Sequence, residues 1–461
     1  MRPIVESLRS ILRPITPIVL LVAIACTAAI VNAQEAPVWR AGAAAIDITP
    51  EGRVWMAGYA FRNKPSEGIA QRLNAKALAI DHSASGRIVI VTLDLIGVPR
   101  ELRGRIEQEV REKFELPPES LLLNASHTHS GPALSSRRVD DPTYAEKADT
   151  HQQELGNKIV QVIGEALSRR EPADLYFTEA RAGFAMNRRL RVGSEIRNSP
   201  NPKGPVDHDV PVLRVLGSEG ELRAILFGYA CHNTTANFYT INGDYAGYAQ
   251  AYLEESHPGT IALFLMGAGG DQNPYPRHDS LEQAKQHGRT LANAVEAAMQ
   301  VRTQRKLQGP LGSALGYAEL EDAPMTRTLL EHQPGSGDQD ERSRAEARPK
   351  ELDSDAFANG YKCPVQVVRF GPDLTLAAIG GETTVEYSLK LKRLLKWGPA
   401  AVWVAGYSND VFGYLGSKRV ILEGGYEGYS ANLGRHPGPW APNTEDRVIE
   451  KIHELMQSIN H

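Results

Sequence analysis

Two histidines one residue apart, in Ser126-His127-Thr128-His129-Ser130-Gly131-Pro132, have the types and spacing for metal chemistry. They follow the apolar run Leu121-Leu122-Leu123, which reads as a buried strand. Side chains at i and i+2 of a strand leave from the same face. His127 and His129 are therefore expected to point together into whatever lies at the strand's end, before Gly131 and Pro132 turn the chain away. Two neutral imidazoles on one face suit a zinc-type ion. Alone, a His-x-His pair is more often structural than metal-binding, so the weight falls on what accompanies it.

Further stretches supply that company. Ala230-Cys231-His232-Asn233 follows the apolar run from Leu222 to Tyr229 and places a polar histidine at a second strand end. Glu382, in Gly380-Gly381-Glu382-Thr383-Thr384, sits between an apolar strand and a helix. An ionised carboxylate there needs a cation, a helix N-terminus or water. Gly406-Tyr407-Ser408-Asn409-Asp410-Val411-Phe412-Gly413-Tyr414 and Gly425-Tyr426-Glu427-Gly428 set tyrosines among glycines, which leaves room for a ligand. Arg188, in Asn187-Arg188-Arg189, can hold a carboxylate or a carbonyl. The small residues of Gly267-Ala268-Gly269-Gly270-Asp271 let backbone amides approach a substrate or an ion. Each stretch also has a plain structural alternative: a core histidine, a helix-capping carboxylate, loop aromatics, an ordinary ion pair, a tight turn.

The elements that must position these residues follow from apolar periodicity. Strands are expected over 41–48, 73–80, 87–93, 174–184, 212–216, 222–229, 260–266, 365–370, 374–379 and 401–405. Helices are expected over 99–114, 144–169, 245–255, 281–300, 383–395 and 445–459. Residues 193–211, with Pro200, Pro202, Pro205 and Pro211, read as loop, and the charged stretch 328–352 as a surface excursion. Strands and helices alternate, yet several strand pairs are joined by short turns. That argues against a purely parallel βαβ fold and for an α/β fold of mixed β-sheets flanked by helices.

Composition sets the outer bounds. An apolar fraction of 42% and a charged fraction of 23% are those of a globular protein, and a net charge of −4 gives no reason to expect nucleic acid as a partner. No protein partner is inferred. Arg2, Arg9 and Arg13 precede an apolar run from Ile15 to Val31 that ends in Val31-Asn32-Ala33. This pattern predicts a secretory signal peptide over residues 1–33 and export to the periplasm or the extracellular space. An uncleaved anchor fits less well, because the run is short for a span of ~20 residues and Pro14 and Pro17 sit at its start. A lipid anchor on Cys26 lacks the usual leucine upstream. In the remaining chain Cys231 and Cys363 can equally be a disulfide or two buried thiols.

Taken in order, the motifs resemble the neutral/alkaline non-lysosomal ceramidase family. The resemblance rests on His127-Thr128-His129-Ser130-Gly131-Pro132, Asn187-Arg188, and His232 followed by Gly243-Asp244 and Gly247-Tyr248-Ala249. It continues through Gly270-Asp271, Gly381-Glu382, Ser408-Asn409 with Tyr414, and Tyr426-Glu427-Gly428, with Ala43 to Pro50 and Met56-Ala57-Gly58-Tyr59 near the start. No single motif is specific; the ordered set, from about residue 40 to 440, is. The resemblance implies a single hydrolase domain over 34–461 with a ceramidase-like sandwich fold. It implies one Zn²⁺ per chain on His127, His232, Glu382 and Tyr414, and a zinc-activated water that cleaves the N-acyl amide of ceramide or a related lipid, presented at a membrane surface. By the same matching, His129 serves proton transfer or hydrogen bonding near the reacting group, and Arg188 and Tyr426 orient the amide and stabilise the oxyanion.

The chain departs from the family's pattern in three places. The full-length enzymes carry a further immunoglobulin-like C-terminal domain, which this reading does not expect here. The segment Asn233-Thr234-Thr235-Ala236-Asn237-Phe238-Tyr239 is not the family's usual wording, and Asn273 stands where a serine is common, so a nucleophilic serine is unsupported. The alternatives are a zinc hydrolase of the same fold acting on another amide or ester, an inactive lipid- or carbohydrate-binding relative, and a (β/α)₈ amidohydrolase. The last disagrees with the hairpin-like strand pairs.

Overall fold

The chain folds around two mixed β-sheets stacked face to face. The computed structural model describes residues 39–83, 85–134, 142–277, 280–323, 360–395, 400–429 and 439–459. The larger sheet holds β1 (Trp39–Asp47), β2 (Asn74–His82), β3 (Arg87–Leu93), β4 (Leu121–Ala125), β5 (Glu171–Arg181), β6 (Asp209–Gly217), β7 (Leu222–Tyr229) and β8 (Ile261–Met266). Their spatial order is β8-β7-β6-β5-β1-β2-β3-β4, with the short Arg305–Lys306 strand paired to β5. The smaller sheet is β9 (Leu311–Leu320), β10 (Tyr361–Phe370), β11 (Leu374–Ile379) and β12 (Ala401–Ala405), in that order.

Period-2 alternation explains the stacking. In β3, Ile88 and Ile90 face the second sheet while Val89, Val91 and Leu93 face helices. In β11, Leu376 and Ala378 face the first sheet while Ala377 and Ile379 face outward. Strands buried on both faces read as continuous apolar runs, as these do. Helices α1 (Arg100–Phe114) and α2 (Pro142–Ser168) cover one half of the larger sheet's outer face. Helices α3 (Asp244–Ser256) and α4 (Leu281–Gln300) cover the other half. Helices α5 (Val385–Leu395) and α6 (Thr444–Ile459) cover the smaller sheet. Gly42 admits α2 at close range: a Cβ there would lie 2.4 Å from the Ala166 carbonyl oxygen.

Three of the longer pairs are parallel: β3 with β4, β7 with β8, and β11 with β12. Each crosses over through a helix: α1, α3 and α5 respectively. In open α/β sheets ligands gather outside the carboxyl ends of such strands. Here those three sets of ends meet, and Asn124 ties them together. Fully buried at the end of β4, its Nδ2 donates to Gly406 O (2.8 Å), Ser408 Oγ (3.1 Å) and Met266 O (3.3 Å). Its Oδ1 accepts from Met266 N (2.8 Å). One side chain thus joins the two outer strands of the larger sheet, β4 and β8, to the loop after β12. The exposed ladder groups of β8 are satisfied further along by Lys76, donating to Ala262 O (2.8 Å), and by Glu254, accepting from Ala262 N (3.0 Å).

Most expected elements appear within a few residues, and the mixed, helix-flanked sheets are as predicted; no barrel forms. Several expectations need correction. Residues 193–211 are not all loop: Arg189–Val192 and Glu195–Asn198 form an antiparallel ribbon, and β6 starts at Asp209 and runs through Pro211. β9, with Gly312 and Gly316 and an intermediate face, carried too weak an alternation to be foreseen. Cys231 and Cys363 are two separate buried thiols. The signal peptide 1–33, with Cys26, and the stretch 328–352 lie outside the described residues. Among the described residues no helix is long and apolar enough to cross a membrane.

The tie at Asn124 is testable. Asn124→Asp replaces a donor amide by an oxygen facing Met266 O and Gly406 O. The expected cost at neutral pH is about 3 kcal/mol of unfolding free energy, read from urea denaturation. An unchanged midpoint would show that the strand ends hold together without it.

Candidate metal centre

The loops at the strand ends bring together all seven residues expected at the site. β4 stops at Ala125, so His127 and His129 do not share a strand face as the spacing suggested. His127 instead adopts a left-handed backbone, φ 63°. Its N–H donates to Leu95 O at 2.9 Å, and its ring Nδ1 lies 2.6 Å from Ile96 O. A carbonyl oxygen can only accept, so Nδ1 carries the proton and Nε2 presents its lone pair. His232, one turn beyond β7, is fixed the same way: Nδ1 is 2.8 Å from Gly269 O. Glu382 follows Gly381 at φ 73° and pairs in a short parallel ladder with Tyr414.

These groups converge on one small volume. Glu382 Oε2 lies 3.2 Å from His127 Nε2 and 3.5 Å from His232 Nε2. His129 Nε2 is 3.1 Å from His127 Nε2, and Tyr414 Oη is 3.3 Å from His232 Nε2. The ligating atoms of His127, His129 and His232 lie within 4.8 Å of one another, and this trio could hold a metal ion. His129, expected as a proton-transfer group, is thus part of the same cluster as the expected ligands. Two imidazole lone pairs and a carboxylate oxygen that lacks a hydrogen-bond donor are buried face to face. Such an arrangement is costly by itself and is satisfied by a cation. The donor set, nitrogen with carboxylate and phenolic oxygen, suits zinc among common ions.

The electrostatics favour neutral imidazoles at His129 and His232 and an ionised Glu382, whereas burial pushes the Tyr414 phenol well above its ordinary value, so its ligation would need the ion itself to draw off the proton. Burial pushes the His232 imidazole down to about 3, with the Arg188 cation adding to it. Burial also holds His129 well below its ordinary value, helped by His127 and His232. For Glu382 burial acts upward, but attraction to His127 and hydrogen bonding with His127 and His232 outweigh it and hold the carboxyl well below its usual range, leaving the negative charge that a cation would meet.

Around this centre stands a polar frame that includes the expected Arg188 and Tyr426 and adds residues the sequence had not singled out. Arg188, 4% exposed, donates from Nη2 to Tyr414 Oη (2.8 Å) and Gly270 O (2.8 Å), and from Nη1 to Asn273 Oδ1 (3.1 Å). Its Nε donates to Glu427 (2.7 Å). Tyr426, 37% exposed, places its ring 5.4 Å from that of Tyr414 and 5.6 Å from the Arg188 guanidinium. Tyr407 packs its ring 4.5 Å from that of His127, from a backbone at φ 49°. Tyr59 meets His129 edge-on at 5.0 Å, and Arg62 donates to His129 O (2.5 Å) and Phe238 O (2.8 Å). Gly58 has φ 98°, and a Cβ there would lie 2.5 Å from the His129 ring. The signal for Gly58 and Tyr59 was present in the early Met56-Ala57-Gly58-Tyr59 motif; for Tyr407 it was a tyrosine beside Gly406.

Comparison with known proteins places this geometry. The N-terminal model of the neutral/alkaline non-lysosomal ceramidases matches residues 39–263. The neutral ceramidase of Pseudomonas aeruginosa is 27% identical over 334 residues, which are 66% of this chain and 48% of that protein. Neutral ceramidases A and B of Dictyostelium discoideum are 29% and 30% identical over 280 and 265 residues, covering 54% and 52% of this chain and 37% and 36% of theirs. The chain therefore spans about half, or less, of the length of these curated relatives. Among solved structures, the Pseudomonas aeruginosa neutral ceramidase superposes with a TM-score of 0.72 at 21% identity, over 90% of this chain and 74% of that one. A ceramidase complexed with C2 superposes at 0.69 and 20% identity, over 90% and 75%. At these identities the likeness establishes the shared fold.

Two substitutions test the centre directly by zinc competition against a chromophoric chelator. His232→Ala is expected to weaken zinc binding more than about 100-fold, and Gly58→Ala, by displacing the His129 ring, about 10-fold. Unchanged zinc binding in His232→Ala removes that residue from the ligand set.

Proposed function

We propose that this chain, whose residues 39–263 belong to the neutral/alkaline non-lysosomal ceramidase family, is a zinc-dependent amidase that hydrolyses the N-acyl amide bond of ceramide or a related N-acyl lipid. The observation that carries the reading is the buried Glu382 Oε2, facing two imidazole lone pairs with no donor of its own. On this reading His127, His232, Glu382 and Tyr414 hold the ion. When bound, zinc supplies Lewis acidity and makes water acidic enough to ionise near neutral pH.

The chain's own residues do the rest. His129 is less buried than His127 and His232, which puts it on the side a substrate reaches. Kept neutral, it can take up and return a proton at a ring nitrogen. Arg188 keeps its charge in spite of burial, because Tyr414 and Glu427 outweigh desolvation. That fixed positive charge favours negative charge developing on the amide oxygen. Tyr426, at the accessible edge, orients the amide. The signal-like N-terminus supports export, and the lipid substrate would be met at a membrane surface.

The test is hydrolysis of a fluorescent N-acylsphingosine by the purified chain. Fatty acid release is expected, abolished by chelator and restored by zinc. No release from folded, zinc-loaded protein discards ceramide as substrate and moves the search to other amides and to esters.

A further inference from the structure

Glu427 is a carboxylate buried to 2% exposure that nothing in the proposed chemistry uses. It accepts from Arg188 Nε at 2.7 Å on one oxygen and from Arg189 Nη1 at 2.7 Å on the other. Both guanidinium groups are themselves buried, at 4% and 3%. Arg189 has a second carboxylate, Glu423, at 3.3 Å, whereas Glu427 is the carboxylate that meets Arg188. The neighbouring Nη2 of the same guanidinium donates to Tyr414 Oη. A guanidinium is planar and rigid, so where its Nε is pinned decides where its Nη2 points.

We propose that Glu427 is a positioning residue of the metal centre: by pinning Arg188 it sets the place of the Tyr414 hydroxyl. This rests on the metal-dependent reading of the site. A merely structural carboxylate would neutralise two buried arginines and nothing more. The two roles separate because one depends on reach and on Tyr414, and the other on charge alone.

Glu427→Asp keeps the charge and shortens the reach by one methylene. Zinc affinity by chelator competition is measured for the full chain, for Glu427→Asp, for Tyr414→Phe and for the double variant, alongside urea denaturation. The expected result is zinc binding about 10-fold to 100-fold weaker in Glu427→Asp, with no further loss when Tyr414→Phe is already present. Wild-type affinity in Glu427→Asp overturns the proposal, and so does a loss that adds in full to that of Tyr414→Phe. Should Glu427→Asp fail to fold, Arg188→Lys keeps the buried positive charge but gives up the planar fork whose Nε Glu427 pins, so the positioning role is removed and the charge is not. Weakened zinc binding in that variant supports the proposal and wild-type binding overturns it. Failure of the unsubstituted chain to bind zinc would bring down the metal reading itself, an outcome distinct from wild-type-like binding in the variants.

Discussion

Lone pairs that face one another inside a protein repel, and the site depends on overcoming that repulsion. Two imidazole nitrogens and a carboxylate oxygen are buried within about hydrogen-bond distance of one another, and the carboxylate oxygen has no well-formed hydrogen bond of its own. Backbone carbonyls at Ile96 and Gly269 fix the ring protons on the far side, so a simple change of tautomer would orphan those carbonyls. A positive charge in the middle is the economical solution. Among the described residues five non-glycine residues have positive φ; three of them, His127, Tyr407 and Asn409, lie in the loops after β4 and β12, and Asp244 opens α3 at the end of the loop after β7. Left-handed backbone at ordinary residues costs of order 1–3 kcal/mol each and persists where the surroundings over-determine it.

Those surroundings are the three parallel strand pairs. A single sheet end offers one or two side chains; this centre draws on the ends of β4, β7 and β11 and on the loops after β8 and β12. Precision requires that these ends be held relative to one another, and side chains do it where ladders cannot. Asn124 saturates four partners from two other segments. Asp271, buried and raised to about 6 by burial, does similar work in spite of that cost. It accepts from Val385 N at the start of α5 (2.8 Å) and from Asn187 Nδ2 (3.0 Å), which ties the β8 loop to two neighbours.

The sequence made most of this legible where physics is local. Apolar runs buried on both faces marked β3, β7, β8 and β11, and the Leu281–Gln300 helix matched its periodicity end to end. The seven proposed residues could be picked out because several stood beside apolar runs, the tyrosines sat among glycines, and the motifs came in a recognisable order. What failed was geometry that depends on distant partners. His127 and His129 converge, but through a left-handed turn set by Leu95 and Ile96, and period-2 reasoning had no access to that. The ribbon at 189–198 was masked by its charged residues and by the prolines that follow it at 200, 202 and 205, and its second strand also touches the Gly425–Gly428 turn. Arg188 looked like a residue waiting for substrate. In the structure most of its donors are already engaged by the protein, and only the position of Glu427, 239 residues away in sequence, makes that apparent.

That engagement has an electrostatic side. A guanidinium one hydroxyl away from a cation site opposes the cation by about 3 kcal/mol per unit charge at ~6 Å and an effective dielectric of ~20. Placing Arg188 there is tolerable because Glu427 pairs with its Nε, and Arg189 and Glu423 continue the alternation of sign outward. The interactions that hold Glu427 below its ordinary value in spite of burial are those two arginines. On the proposed reading, the chain of alternating charge lets Arg188 donate to Tyr414 and lend positive potential to an oxyanion without expelling an ion from the inner ring of acceptors.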